Sequence, residues 1–209
     1  MKALFSLAFK NVLGAGLRTW LNVFALSLGI VLVIWLQGYV DGMMKFMISA
    51  KTDYEIGEGQ FIHKEYDQHD PLTIQDSHGR PSRFISNLVK DKKATEILLV
   101  SGSIYPKGRS QTAVFRGIDP TQDIVSIPSK FIVKKNDYIP AMIGKKMATS
   151  TGLEVGDTVT IRWRDVDGTF DAVDVEIVHL MNISTVNLDQ GQIWLPLENL
   201  REMLGGVEQ

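Results

Sequence analysis

The sequence predicts an α+β fold, with one amino-terminal transmembrane helix followed by an extracytoplasmic domain of mixed strands and helices. Three observations predict it. The stretch TWLNVFALSLGIVLVIWLQGYV, from Thr19 to Val40, contains no charged side chain. After Asp41 the composition becomes polar and punctuated by glycine and proline. In that second part, short runs alternate apolar and polar residues with a period of two, while others repeat at helical spacing.

At about 1.5 Å per residue the uncharged stretch reaches roughly 33 Å, enough to cross a hydrocarbon core of about 30 Å. A helix buried in a soluble core seldom stays apolar all round for that length. Trp20 stands near one end and Trp35 and Tyr39 near the other, where amphipathic rings favour the headgroup layer. Asn22, Ser27 and Gln37 interrupt the run and need partner helices or helix carbonyls to satisfy them. Ala25 with Gly29, and Gly38 with Gly42, are spaced as small-xxx-small ridges that allow close helix contact. The expected anchor and helix-contact residues are therefore Trp20, Ala25, Gly29, Trp35, Gly38, Tyr39 and Gly42. A cleaved signal peptide would have a shorter apolar core and a small-x-small site beyond it, and YVDGMMKF after Gly38 offers none.

Before the span, Phe5, Ala8, Phe9, Val12 and Leu13 recur at helical spacing opposite Lys2, Ser6 and Lys10. That pattern fits a helix lying in the membrane interface, or a cytoplasmic continuation of the membrane helix, with Gly14 and Gly16 allowing a bend. Lys2, Lys10 and Arg18 contribute +3 up to Val40, which leaves −5 for the remainder of a chain whose net charge is −2. The positive-inside rule places the amino terminus in the cytoplasm and the bulk of the chain outside. The expected divisions are 1–18 as a cytoplasmic or interfacial helix, 19–40 as the transmembrane helix and 41–209 as the extracytoplasmic domain. An acidic outer domain does not attract nucleic acid by its net field. The chain has no cysteine, so disulfides say nothing of the compartment.

In the outer domain, Met43 to Ala50 extends the helix and Glu55 to His63 reads as a first strand. The polar, proline-bearing stretch from Glu65 to Ser82 reads as an irregular connection. Ser82 to Lys90 reads as a helix with Phe84, Ile85, Leu88 and Val89 on one side. Strands over Glu96–Ile104 and Gln111–Gly117 are joined around Pro106–Arg109. A helix over Met142–Thr151 stops at Gly152 in the left-handed cap position. Val159, Ile161 and Trp163, then Val173, Val175 and Ile177, alternate with polar residues on either side of the Asp167-Gly168 dipeptide, a hairpin with Arg162 facing Asp174 or Glu176. Gln192 to Leu195 is a further strand, and a helix opening at Pro196 buries Leu197, Leu200 and Leu204 before Gly205.

Motifs for chemistry are sparse. No GxxxxGK[ST] loop is present to cradle ATP phosphates. His63, His69 and His78 lie among Asp67, Asp70 and Asp76, but without CxxC or HExxH spacing they read as a solvated loop rather than a metal site. His179 follows a strand and reads as structural. Ser101, Ser103 and Ser110 lack a GxSxG context. Neither a catalytic site nor a cofactor is expected.

The order of local patterns carries more information than any single residue. LAFKNVLGAGLRTWLNVFALSLGIVLVI (7–34), GQFIHKEYDQHDPL (59–72), FRGIDP (115–120), IPAMIGKKMATSTGLEVGDTVTI (139–161) and QIWLPLENLREMLG (192–205) follow one another. In that order they resemble ABC-transporter permeases of the MacB/FtsX-like family, most closely the lipoprotein-releasing system permeases. The resemblance implies a MacB-like periplasmic core domain set on the first membrane helix, in the cytoplasmic (inner) membrane. It implies a cytoplasmic ABC ATPase as the partner that hydrolyses ATP, and a second permease chain in a homo- or heterodimer. It further implies contact with membrane lipid, and a lipoprotein, peptide or amphiphile cargo or a periplasmic protein at the outer face. Family members continue through three further membrane helices, and no second apolar run of that length follows Val40, so the resemblance covers the amino-terminal part and an incomplete core domain. The other reading is a single-pass membrane-anchored binding module without transport activity, and sequence continuing into three membrane helices would separate the two.

Overall fold

The computed structural model describes residues 2–67, 70–74, 77, 79, 81–133, 137–165, 168–182 and 191–205. The chain divides into two compact units, Met1–Ser49 and Ala50–Gln209.

The first unit is helical. Helix α1 spans Lys2–Leu13 and is closed by the Gly14 N–H donating to the Lys10 carbonyl at 2.9 Å. A bend at Gly14–Gly16 separates it from α2, Leu17–Lys51, whose 35 residues extend about 52 Å. Leu, Val, Ile, Phe and Met cover α2 on every side and none is buried, as expected where lipid rather than protein is the solvent. It is the one helix among the described residues that is long and apolar enough to cross a membrane.

The second unit is built on a six-stranded closed barrel of order β1-β2-β6-β3-β5-β4. Strand β1 (Ile97–Ile104) and β2 (Gln111–Ile118) form one antiparallel hairpin, with Ile97 opposite Ile118 and Ile104 opposite Gln111. Strand β4 (Thr158–Arg164) and β5 (Phe170–Met181) form another, with Thr158 opposite Glu176. Between the hairpins on one side, β1 pairs antiparallel with β4. On the other, β6 (Gln192–Pro196) runs parallel to β2 and antiparallel to β3 (Ile139–Gly144), and β3 runs parallel to β5. Helices α3 (Arg83–Lys90), α4 (Lys145–Thr151) and α5 (Leu197–Met203) complete the unit.

Alternation along the strands creates two apolar layers. Val100, Ile104, Phe115, Ile143, Ile161, Val175, Ile177, Ile193 and Leu195 meet Met147, Leu153, Leu200 and Leu204 in the larger core. On the opposite face of the strands, Ile118, Met142, Met181 and Trp194 pack against Val125, Ile127 and Ile132 of the segment between β2 and β3. Gly102 of β1 is required by the larger core. A Cβ there would come within 2.3 Å of a Phe115 ring carbon and 2.5 Å of the Arg162 carbonyl oxygen.

Most expected elements are present, including the Gly152 cap, where φ is +69° and the amide donates to the Ala148 carbonyl at 2.8 Å. Three expectations are corrected. Residues 55–63 are not a strand: Thr52–Ile56 form a wide π-type turn and 57–63 run without regular structure. Gly57, at φ +63°, and Gly59 break that run, and among the described residues six strands close the barrel. Met142–Gly144, expected as helix, belong to β3, because a strand buried on both faces reads as a continuous apolar run that periodicity cannot separate from helix. Arg162 faces Ala172 rather than Asp174 or Glu176; Thr160 takes Asp174, and Arg162 instead lies 4.1 Å over the Phe170 ring. Alternation assigns a face but leaves a two-residue choice of register on that face.

Candidate functional site

The residues expected to anchor the chain and contact other helices all lie on α2. Trp20 is in its first turn, and Trp35 and Tyr39, one turn apart, stack with centroids 6.0 Å apart and planes at 19°. A Cβ added at Gly29, Gly38 or Gly42 would meet no atom within 4 Å, so each leaves open space on the helix surface. Ala25 and Gly38 are thirteen residues apart. At 3.6 residues per turn the ridge Ala25–Gly29 therefore points roughly 140° away from the ridge Gly38–Gly42. At 3.6 residues per turn Trp35 and Tyr39 lie beside the second ridge, so the aromatic and small residues of 35–42 share one side of α2.

A second constellation lies where the chain enters the barrel unit. Within the 52–56 turn, three successive residues each engage the barrel in a different way. The Asp53 carbonyl accepts from the Ser126 N–H at 2.7 Å, Tyr54 packs on the Trp194 cluster, and Glu55 Oε1 accepts from Arg116 Nη2 at 3.3 Å. Arg116 stands on β2 with its guanidinium 5.3 Å from the Trp194 ring. Its side chain is 11% exposed and that of Glu55 23%. Burial pushes Arg116 below the ordinary arginine value, and the Glu55 carboxylate opposes that push. Arginine starts so high that the guanidinium keeps its charge, and Glu55 supplies the compensation a buried cation needs.

The strap over this face is organised by a buried amide. Gln122 Oε1 accepts from the Ile124 and Val125 N–H groups at 2.8 and 3.0 Å, while Nε2 donates to the Val125 carbonyl and Ser129 Oγ at 3.1 and 3.2 Å. Ahead of it, Asp119 Oδ1 accepts from the Thr121 N–H and hydroxyl. The FRGIDP motif thus ends in a turn that starts the strap holding Ser126 against Asp53. Sequence reasoning singled out neither Glu55, Arg116 nor Gln122. Arg116 carries a signal, being the one charged residue in QTAVFRGI; Glu55 and Gln122 look like ordinary loop residues.

Of the histidine cluster, His69, His78 and Asp76 lie outside the described residues. Among the described residues no group of three His, Cys, Asp or Glu side chains is placed to hold a metal ion. His179 lies inside β5 and stacks flat on Phe131, with centroids 4.0 Å apart. Burial, with a smaller contribution from Lys145, pushes it below the ordinary histidine value. Phe61 and Phe84 meet edge to face at 6.3 Å, both well exposed.

Residues 19–208 match the family model described as the MacB-like periplasmic core domain. No curated protein matches the chain. The matched region takes in the apolar helix as well as the barrel and its strap.

Proposed function

The chain belongs to the MacB-like periplasmic core domain family, and from that premise we propose that it is the amino-terminal portion of an ABC-transporter permease subunit of the lipoprotein-releasing kind. It couples ATP hydrolysis by a partner ATPase to extrusion or release of a lipoprotein, peptide or amphiphile at the outer face. The observation that carries this reading is the family match across 19–208, in which one long apolar helix precedes a folded α+β unit. The permease portion is non-catalytic, and hydrolysis resides in the partner chain.

On this reading, α2 crosses the cytoplasmic membrane with the amino terminus inside and the barrel in the periplasm. Residues 19–40 are the membrane-embedded part, α1 lies at the cytoplasmic interface, and 41–209 stand outside. Trp20, Trp35 and Tyr39 anchor the helix ends. The two small-residue ridges, Ala25–Gly29 and Gly38–Gly42, meet different neighbours, one of them in the second permease chain. Their divergence of roughly 140° supports two contact faces rather than one continuous seam.

Topology is tested with an impermeant thiol label on intact cells. A cysteine at the exposed Ser110 reacts and one at the exposed Ser6 does not; the reverse pattern contradicts the orientation. Coupling is tested by reconstituting the full-length product with its ATPase in nanodiscs. The permease reading requires the hydrolysis rate to depend on the presence of this chain, and an unchanged rate counts against it.

A further inference from the structure

We propose that the Glu55–Arg116 ion pair is a latch that makes the 52–56 turn part of the barrel body, and that it is the positioning contact through which displacement of the chain at Lys51 reaches the barrel. The second half of this statement rests on the permease reading; the first does not.

The turn is held by a hydrogen bond, an apolar contact and an ion pair on three consecutive residues, Asp53, Tyr54 and Glu55. Apolar packing at Tyr54 is not directional and by itself leaves freedom of position. The ion pair adds direction, because a hydrogen bond from a largely buried guanidinium to a carboxylate constrains both side chains. Its burial sets it apart from Lys64–Glu65 and Lys130–Asp123, where every side chain is at least 60% exposed. Exposed pairs of that sort hold little, whereas removing one member of a buried pair strands the other charge.

Arg116 is also placed to spread a load. It lies in the middle strand of a three-strand row, opposite Leu99 of β1 and Trp194 of β6, and its guanidinium faces the fully buried Trp194 ring. A pull on Glu55 therefore acts on three hydrogen-bonded strands together. The barrel's own packing does not call for a cation there, and an apolar side chain of similar volume generally packs as well or better at such a site. Immediately after the turn, Gly57 at φ +63° and Gly59 form the place where an unlatched chain bends. A π-type turn is itself a weak point in a helix, so without the latch, strain at Lys51 is absorbed locally by unwinding.

The test uses the full chain with its ATPase in nanodiscs and compares wild type with Glu55→Gln, Arg116→Met and the double swap Glu55→Arg/Arg116→Glu. Amide hydrogen exchange is read at Gly57 and Ser126, whose N–H groups bond to the Thr52 and Asp53 carbonyls. Both single variants are expected to exchange there at least about tenfold faster, with β4 and β5 unchanged and protection partly restored in the double swap. Exchange at Ser126 unchanged in Glu55→Gln overturns the latch. Uniformly faster exchange over the whole barrel overturns it too, by assigning the pair to general stability. For transmission, exchange over 119–133 is compared without nucleotide and with ATP plus vanadate. The proposal predicts a nucleotide-dependent difference in wild type that is lost in Glu55→Gln while ATP hydrolysis persists. A difference retained in Glu55→Gln overturns transmission. A wild-type chain that ignores nucleotide fails the permease reading and with it transmission, and leaves the latch to be judged on Ser126 alone.

Discussion

Gly102 lies opposite Ala113, and the ring of Phe115, two residues further along β2, reaches diagonally into the volume any larger residue at 102 would need. Gly102→Ala should therefore destabilise the barrel by about 1–3 kcal/mol through overpacking, read from denaturant unfolding. Phe115→Ala should cost more, about 3–5 kcal/mol, because it empties the centre of the larger core. His179 gives a pH dependence whose sign follows from its depressed value. The folded state binds this proton less readily than the unfolded chain, so stability is complete above the ordinary histidine value of about 6.5 and is lost as pH falls through the folded value. His179→Gln should flatten the stability profile between about pH 7 and pH 5; an unchanged profile would mean that other groups set the slope. These residues also mark the limits of sequence reading. A glycine in an apolar strand and a histidine among β-branched residues carry no label for the contact each makes across the sheet.

Among elements, α2 and the β4–β5 hairpin were the most legible. In α2 the absence of charge over a sufficient length is enough, and in the hairpin strict alternation marks which residues point inward. Strand β3 was hidden because Ile139–Gly144 is covered on both faces and has no period. The strand expected over Glu55–His63 is replaced at its start by the Thr52–Ile56 turn, and the Arg116 side chain that engages Glu55 is 61 residues away, beyond the reach of any local pattern. For α2 the two diverging ridges give a directional expectation. Gly38→Ile and Ala25→Ile should each weaken association, but with different partner helices, detectable by cysteine cross-linking on the two faces. Loss of the same cross-link in both variants would contradict two separate contact faces.

At the scale of the whole molecule, an α+β class with an apolar leading helix follows from composition and periodicity. The closed barrel does not. Its closure depends on β6 lying parallel to β2, and β3 parallel to β5, pairings between distant segments that no local pattern encodes. The strap over 119–133 is equally invisible until Gln122 is seen to gather four backbone groups and a hydroxyl. The family pattern reached further than local physics, because the order of five motifs holds information about assembly that single residues lack. Its functional content, an ABC-transporter context for the chain, agrees with the match to the MacB-like periplasmic core domain. The most direct measurement is affinity isolation of the full-length product from native membranes, with quantitative mass spectrometry of what remains bound in mild detergent. An ABC ATPase recovered in fixed stoichiometry with this chain is the expected result; its reproducible absence, from a preparation in which the barrel is folded, would overturn the permease assignment.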